Sequence, residues 1–436
     1  MSFAAPVAPP AALQFIDDDL DSARARARAE HKLLFVDAWA PWCHTCLSMR
    51  NYVFPDPSLR PLAQRVVFAA IDTDKPSSAP FLERFPVTAW PSLFILDPAN
   101  DHILAYWPGS ASAADLRALI DDAQRLADAS APPGDPLRDL ADARAALASG
   151  NLALAQTRFA SLLDRADASW PRRADALMGM METLRALKDY RACAELGRRH
   201  LDDISGASKP GDFAWLTLDC ASSLPAGDAR STAEQAAIRR LRAFADCPSA
   251  DASIDDRADV LGTLADALEQ AGDHAGAAKM HDRRIAMLED AAAHAPTPAM
   301  ASTFDYLLAN SYVARGRGEN AIRMLQARER EFPESYEPPA RLADVLVALG
   351  RYDEALAAVD RAISHAYGPR KLRYLATKAA ILGKLGRHAD QVQTLQQEVS
   401  GWAALGRGQA NESRRADAQQ RLENARNPPA AHTSVR

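Results

Sequence analysis

Cysteine is scarce in this chain, five residues in 436, and the number is odd. That excludes a small secreted scaffold held by a dense disulfide framework. No apolar run approaches the roughly 18 residues a membrane-crossing helix needs, so no membrane partner is expected. Long blocks of lysine or arginine are missing too, and the formal net charge is −6. Nucleic acid and anionic lipid are therefore not expected as partners. Arg24, Arg26 and Arg28 alternate with alanine and are read as the wet face of a helix. The opening stretch, MSFAAPVAPPAALQFIDDD, lacks a basic start followed by an apolar core, so no secretory signal is read there and a cytoplasmic location is the expectation. Aromatics make up only 7% of the chain, whereas alanine and leucine abound. That mix favours helix, because neither residue loses much rotamer freedom there.

The length corresponds to roughly two to four domains. The first third mixes both secondary structures. LLFVDAW (33–39), VVFAAIDTD (66–74) and PSLFILD (91–97) are short apolar runs of buried-strand type. HILAYWPG (102–109) is expected to be an edge strand. Helical periodicity covers 19–30, the stretch after Cys43, and 112–128, with Ser112 as N-cap. Alternating strands and helices with one long crossover give a small α/β sandwich. Segment 129–136, ASAPPGDP, breaks this pattern and is taken as a linker. The expected division is a flexible N-terminus at 1–12, the α/β domain at 13–128, the linker at 129–136, helical repeats at 137–410, a polar capping helix at 411–425 and a disordered tail at 426–436.

After the linker one spaced pattern recurs: a small residue, Gly seven positions on, and a small residue five further. It occurs at Ala143–Gly150–Ala155, Ala265–Gly272–Ala277, Ala309–Gly316–Ala321, Ala343–Gly350–Ala355 and, with a departure at its last place, Ala379–Gly386–Gln391. A weaker copy has Met181, Lys188 and Cys193, and another lies near Cys220 and Gly227. Such a unit fits a helix–turn–helix. Glycine ends the first helix in the left-handed conformation, and the small residues let the two backbones approach. The bulky Gln391 suggests that the array ends there.

The remaining signal is FVDAWAPWCHTC, residues 35–46. A strand leading into Cys-x-x-Cys and then a helix places Cys43 at a helix N-terminus. Unpaired N–H groups there favour an anion. Such positions lower a thiol pKa from about 8.5 to roughly 3.5–7.5. Cys43 is thus the expected nucleophile, and Cys46, one turn on, the expected resolving thiol. Asp37 would be buried behind the pair with a raised pKa, able to exchange a proton with Cys46. Pro91, opening a buried strand, is expected in the cis form facing the cysteines. Trp90 before it would offer backbone groups to an extended substrate. Trp42 is read as the rim of the site. A zinc half-site would need two further ligands, and Cys193, Cys220 and Cys247 are remote with no nearby histidine, so no metal and no other cofactor is expected. Cys193 and Cys220 are read as buried packing thiols, Cys247 as exposed, and His44 as a hydrogen-bonding neighbour of the thiolate.

These residues together, Val36-Asp37-Ala38-Trp39, Trp42-Cys43-His44-Thr45-Cys46, Pro91 and Gly109, resemble the thioredoxin family. Within it, the run from Trp42 to Asp74, with Phe54, Asp56 and Pro57, leans toward the DsbD C-terminal type. Two departures stand out: Ala89 where those relatives usually have Gly, and the large Trp90, which would narrow the substrate groove or supply a stacking surface. The segment 340–363 resembles a tetratricopeptide repeat in Ala343, Leu346, Gly350, Tyr352, Ala355 and Ala362. The fold class implied is an α/β thioredoxin-like sandwich followed by an all-α tetratricopeptide solenoid. Tyr306, Asn310, Val313, Asp344 and Val347 do not form the basic, Asn-containing clamp that some such repeats use for C-terminal carboxylates.

Two functions follow as expectations. The first is a thiol–disulfide oxidoreductase, a disulfide reductase by default, whose repeats recruit a protein substrate bearing disulfides or thiols, or a partner such as a chaperone or reductase. The second is a chaperedoxin-like holdase that binds unfolding clients and protects their cysteines.

Overall fold

The computed structural model describes residues 13–427 except positions 129, 131 and 133. The expected flexible start at 1–12, three positions of the expected linker, and the expected tail from 428 onward lie outside the described residues. The chain divides into two compact units, Met1–Asp72 with Phe85–Thr303, and Thr73–Arg84 with Phe304–Arg436.

The first unit contains a five-stranded sheet of order β1-β3-β2-β4-β5. The strands are β1 (Phe15–Asp17), β2 (Leu33–Trp39), β3 (Val66–Asp72), β4 (Ser92–Leu96) and β5 (Ile103–Pro108). β1, β3 and β2 run parallel, while β4 and β5 are antiparallel to their neighbours. Central β2 is buried over all but its last residue, which is why it reads as an unbroken apolar run interrupted only by Asp37. β1, only three residues long, carries too little pattern to be expected from sequence. β5 is the edge strand anticipated at 102–109.

Helix α1 (Leu20–Ala29) begins at Asp19, whose side chain accepts from Ser22 N–H at 2.9 Å. Ala23 and Ala27 are its buried stripe, and Arg24 and Arg26 reach carboxylates at its surface. Helix α2 (His44–Ser48) follows the cysteine loop and passes into one wide turn at Met49–Val53. The β3–β4 connection carries α3 (Ala79–Arg84), which is grouped with the second unit. Helix α4 (Ala113–Ala127) has the expected cap: Ser112 and Asp115 form a reciprocal capping box. Phe35, Phe68, Leu93 and Ile95 from the sheet close on Leu116, Leu119 and Ile120 of α4.

Helices fill the rest of this unit: α5 (Pro136–Ala148), α6 (Leu152–Arg165), α7 (Arg173–Ala186), α8 (Tyr190–His200), α9 (Lys209–Ser222), α10 (Asp228–Asp246), α11 (Ile254–Gln270), α12 (His274–Ala293) and the short α13 (Pro298–Ser302). Gly150 and Gly272 turn the chain with φ of 74° and 81°, as the repeat pattern requires. The weaker copy turns in the same way with Lys188, at φ 61°. A lysine there bears the Cβ strain that glycine avoids, so its helix pair is hard to see in sequence.

The reading of Cys193 and Cys220 as packing thiols is overturned. They are joined in a disulfide between α8 and α9, with Cα atoms 6.0 Å apart and both side chains fully buried. Facing positions on consecutive helices bring together residues 27 apart in sequence, a proximity that sequence spacing does not reveal. Cys247 is free and exposed, as expected.

Buried cations tie the sheet to these helices. Arg144 donates to Tyr106 O at 3.0 Å and to Asp175 O at 2.9 Å. Lys209 Nζ lies 3.1 Å from Asp175 and 3.4 Å from Asp115, over the ring of Trp107.

The second unit holds α14 (Asp305–Ala314), α15 (Gly318–Glu331), α16 (Glu337–Ala348), α17 (Tyr352–His365), α18 (Gly368–Lys384), α19 (His388–Ala404) and α20 (Glu412–Arg426). Gly316, Gly350 and Gly386 turn with φ of 67°, 73° and 69°. Gln391 lies in α19, which pairs with α18 across the Gly386 turn. Gly383 lies opposite it, where a Cβ would come within 2.7 Å of the Gln391 amide. Helix α20 buries Ala418 against Leu372, Leu375 and Trp402, and Leu422 against Ala379 and Leu395. Gln409 donates to Thr73 O and Lys75 O at 2.9 and 2.8 Å, which helps hold segment 73–84 in this unit.

Candidate active site

β2 delivers the chain at Trp39 to the loop that precedes Cys43. Cys43 is extended, with φ −83° and ψ 107°, and is the N-cap of α2. Its sulfur accepts the Cys46 N–H at 3.0 Å. One N-terminal amide of the helix therefore points at this sulfur, an arrangement that stabilises a thiolate. Cys43 and Cys46 are joined in a disulfide, their Cα atoms 5.2 Å apart.

The pair is well covered. Cys43 is only 5% exposed and Cys46 not at all. Trp39, Trp42 and Trp90 pack around them. The Trp42 and Trp90 rings lie against each other with centroids 5.1 Å apart. The two rings are tilted by 58° to each other rather than stacked in parallel. The Trp90–Pro91 peptide is cis. Pro91 O accepts from Gly109 N–H at 2.7 Å, and Ser92 Oγ donates to Ala89 O at 2.8 Å, so both sides of the cis bond are tied to neighbouring backbone.

Asp37 is 1% exposed, and neither carboxylate oxygen has a hydrogen-bond partner. Burial pushes its carboxyl up to about 7, with the Arg50 charge pulling the other way. Arg50 in turn stacks on Trp39, 4.0 Å from the ring centre, and lies 3.3 Å from Asp17.

His44 differs from its expected role. Its Nδ1 is 2.9 Å from Oδ1 of Asp255, a residue in the first turn of α11, and its Nε2 is 4.0 Å from Asp259 Oδ1, one turn on. Burial works against protonation of His44, but the charges of Asp255 and Asp259 outweigh it and lift the imidazole to about 9. Asp255 is 1% exposed, and its second oxygen has no hydrogen-bond partner. The neighbouring Asp256 accepts from Ser110 Oγ at 2.5 Å and closes a capping box with Ser253. The donor atoms of His44, Asp255 and Asp259 lie within 4.8 Å of one another. This is the geometry of an ion pair, an imidazole between carboxylates. Sequence reasoning missed the α11 acids because 211 residues separate Asp255 from His44. The only hint was a run of three acids, Asp255, Asp256 and Asp259, at the start of a repeat helix, where water would ordinarily solvate them.

The family described as thioredoxin-like domain matches residues 20–124, and the tetratricopeptide repeat family matches residues 312–381. The thiol:disulfide interchange protein DsbD of Haemophilus influenzae is 27% identical over 88 residues, covering 20% of this chain and 15% of that protein. The protein of the same name from Pseudoalteromonas atlantica is 32% identical over 82 residues, covering 18% of this chain and 14% of its own length. The chain thus spans only a small part of the curated relatives it matches. A tetratricopeptide repeat protein from Parabacteroides merdae aligns with a TM-score of 0.42 at 10% identity, over 67% of this chain and 99% of that one. The chain carries a thioredoxin-like domain followed by tetratricopeptide repeats, and among the described residues no helix is long and apolar enough to cross a membrane.

Proposed function

We propose that the chain is a thiol–disulfide oxidoreductase acting as a reductase of protein disulfides, with its repeats recruiting the protein substrate. The carrying observation is the Cys43 sulfur as N-cap of α2, accepting the Cys46 amide while bonded to Cys46. In the reduced form the Cys43 thiolate attacks one sulfur of a substrate disulfide and the other leaves as thiolate. Cys46 then gives its proton to the Asp37 carboxylate and attacks Cys43 Sγ, which releases the second substrate thiolate. The substrate gains two electrons and the Cys43–Cys46 bond forms. An external dithiol must reduce the pair again. A carboxyl held near 7 suits Asp37 to that proton transfer at neutral pH. Pro91 and the Trp90 backbone would dock the substrate as an added strand, with Trp42 at the rim.

The domain limits expected from sequence, 13–128 for the redox part and 137–410 for the array closed by 411–425, serve as the working division of labour. A cytosolic setting suits this reading less well than the sequence suggested. A fully buried Cys193–Cys220 bridge favours an oxidising compartment, where such bonds persist.

The test is turnover of a small disulfide-bonded protein by the full chain, its Cys43→Ser variant and its Cys43→Ser/Cys46→Ser variant. Loss of turnover in both variants is expected. The holdase reading wins instead if wild type shows no turnover while all three chains suppress aggregation of a heated client equally.

A further inference from the structure

The dithiol does not stand alone at the edge of its own domain. One of the two residues between its cysteines, His44, is gripped by a helix of the repeat region. His44 follows the nucleophile directly and is the first residue of α2. Its imidazole meets α11 at Asp255 (2.9 Å) and faces Asp259 (4.0 Å). A three-part brace fixes α11 at this point. Asp256 accepts from Ser110, two residues past β5, the Ser253 capping box sets the first turn, and Arg284 of α12 lies 3.5 Å from Asp259. Asp255 itself is buried with one oxygen committed to His44 and the other without a hydrogen-bond partner. A buried carboxylate supported by a single histidine is costly unless that histidine is charged.

We propose that Asp255, assisted by Asp259, is a positioning residue of the redox centre: α11 holds His44, the residue that follows Cys43, as a fixed cation and so sets the reduction potential of the dithiol from the repeat region. This rests on the redox reading above. A cation next to Cys43 stabilises the thiolate, hence the reduced pair, and raises the potential. The groups facing His44 are Asp255 and Asp259 from α11, with Arg284 of α12 opposing protonation. Their balance keeps the ring charged up to about pH 9, well above the ordinary histidine range. Replacing the Asp255 carboxylate with an amide keeps its shape but removes that support. Near neutral pH the histidine then loses its proton, and the potential falls. In acid the histidine stays charged without its counter-charge, and the potential rises.

The experiment equilibrates the full chain with glutathione at oxidised-to-reduced ratios spanning the transition, at several pH values between 5.5 and 8.5. The Cys43–Cys46 peptide is then read by thiol trapping and mass spectrometry, apart from the other cysteines. In wild type the pH dependence shows no histidine inflection in this range. Asp255→Asn gains one near the ordinary histidine pKa, and at pH 8 its equilibrium constant with glutathione moves about three- to tenfold toward the disulfide. His44→Gln moves it the same way, and His44→Gln/Asp255→Asn moves it no further. Asp259→Asn shows a smaller shift of the same sign and carries the test should Asp255→Asn fail to fold. The proposal is overturned if the Asp255 and Asp259 variants overlay wild type at every pH, or if the Asp255 shift persists in full without His44. Should wild type show no reversible Cys43–Cys46 couple at all, the redox reading fails before this one is reached.

Discussion

Replacing Asp37 with asparagine should stabilise the protein in alkali and not in acid. The carboxyl is 1% exposed and neither of its oxygens is hydrogen-bonded, so its ionised form has little to compensate lost hydration. Burial holds it at about 7, whereas in the unfolded chain it should titrate near 3.9. At 1.36 kcal/mol per tenfold, that separation corresponds to about 4 kcal/mol of destabilisation above pH 7, an upper value. The sign follows from proton counting. From about pH 4 to pH 7 the folded chain keeps a proton that the unfolded chain has released, so stability falls as pH rises and levels off above 7. Asparagine fits the same space and never ionises. Urea unfolding of the oxidised full chain, followed by tryptophan fluorescence at pH 4.5, 6, 7 and 8.5, measures this directly. The gain of Asp37→Asn over wild type should be at most about 1 kcal/mol at pH 4.5, where the unfolded carboxyl is already largely ionised, and grow to about 2–4 kcal/mol at pH 8.5. A gain that does not change with pH would refute the argument, because a packing effect has no proton in it. The same variant should slow disulfide exchange by about ten- to a hundredfold near neutral pH, since Cys46 loses its proton acceptor. The stabilisation would thus come at the expense of activity.

Thiol titration of the native, unreduced protein should find one thiol per chain, Cys247, and all five only after reduction and unfolding. Cys220→Ser should lower stability by about 3–4 kcal/mol, the loop-closure value for a 27-residue separation, seen as an earlier urea midpoint for the helical signal. Lys188→Gly should raise stability by up to about 1 kcal/mol by relieving the left-handed backbone, whereas Gly350→Ala should lower it by a similar amount. Trp90→Ala should uncover Cys43, now 5% exposed, so alkylation of the reduced chain at Cys43 should quicken several-fold.

Much of the site was legible because its signals are local. The β2 run, the Cys-x-x-Cys spacing and the proline opening β4 each act within a few residues, through strand burial, helix capping and backbone geometry. The repeat glycines were legible for the same reason: a left-handed turn makes its demand on a single residue. Where that demand was met by Lys188, at a cost in strain, the pattern blurred and the helix pair with it. Three-residue β1 carried too few alternations to register.

What sequence left open is set by contacts across long separations. Nothing in the cysteine spacing joins Cys193 to Cys220, since only the packing of α8 on α9 brings their sulfurs together. Nothing near Cys43 announces Asp255. The charge of His44 depends on where α11 comes to rest, and that is settled by Ser110, Ser253 and Arg284 acting together. Local chemistry, written in the order of residues, determined that a dithiol would sit at a helix start. Its electrostatic surroundings were decided by tertiary packing, because charge acts through space and takes no account of position along the chain.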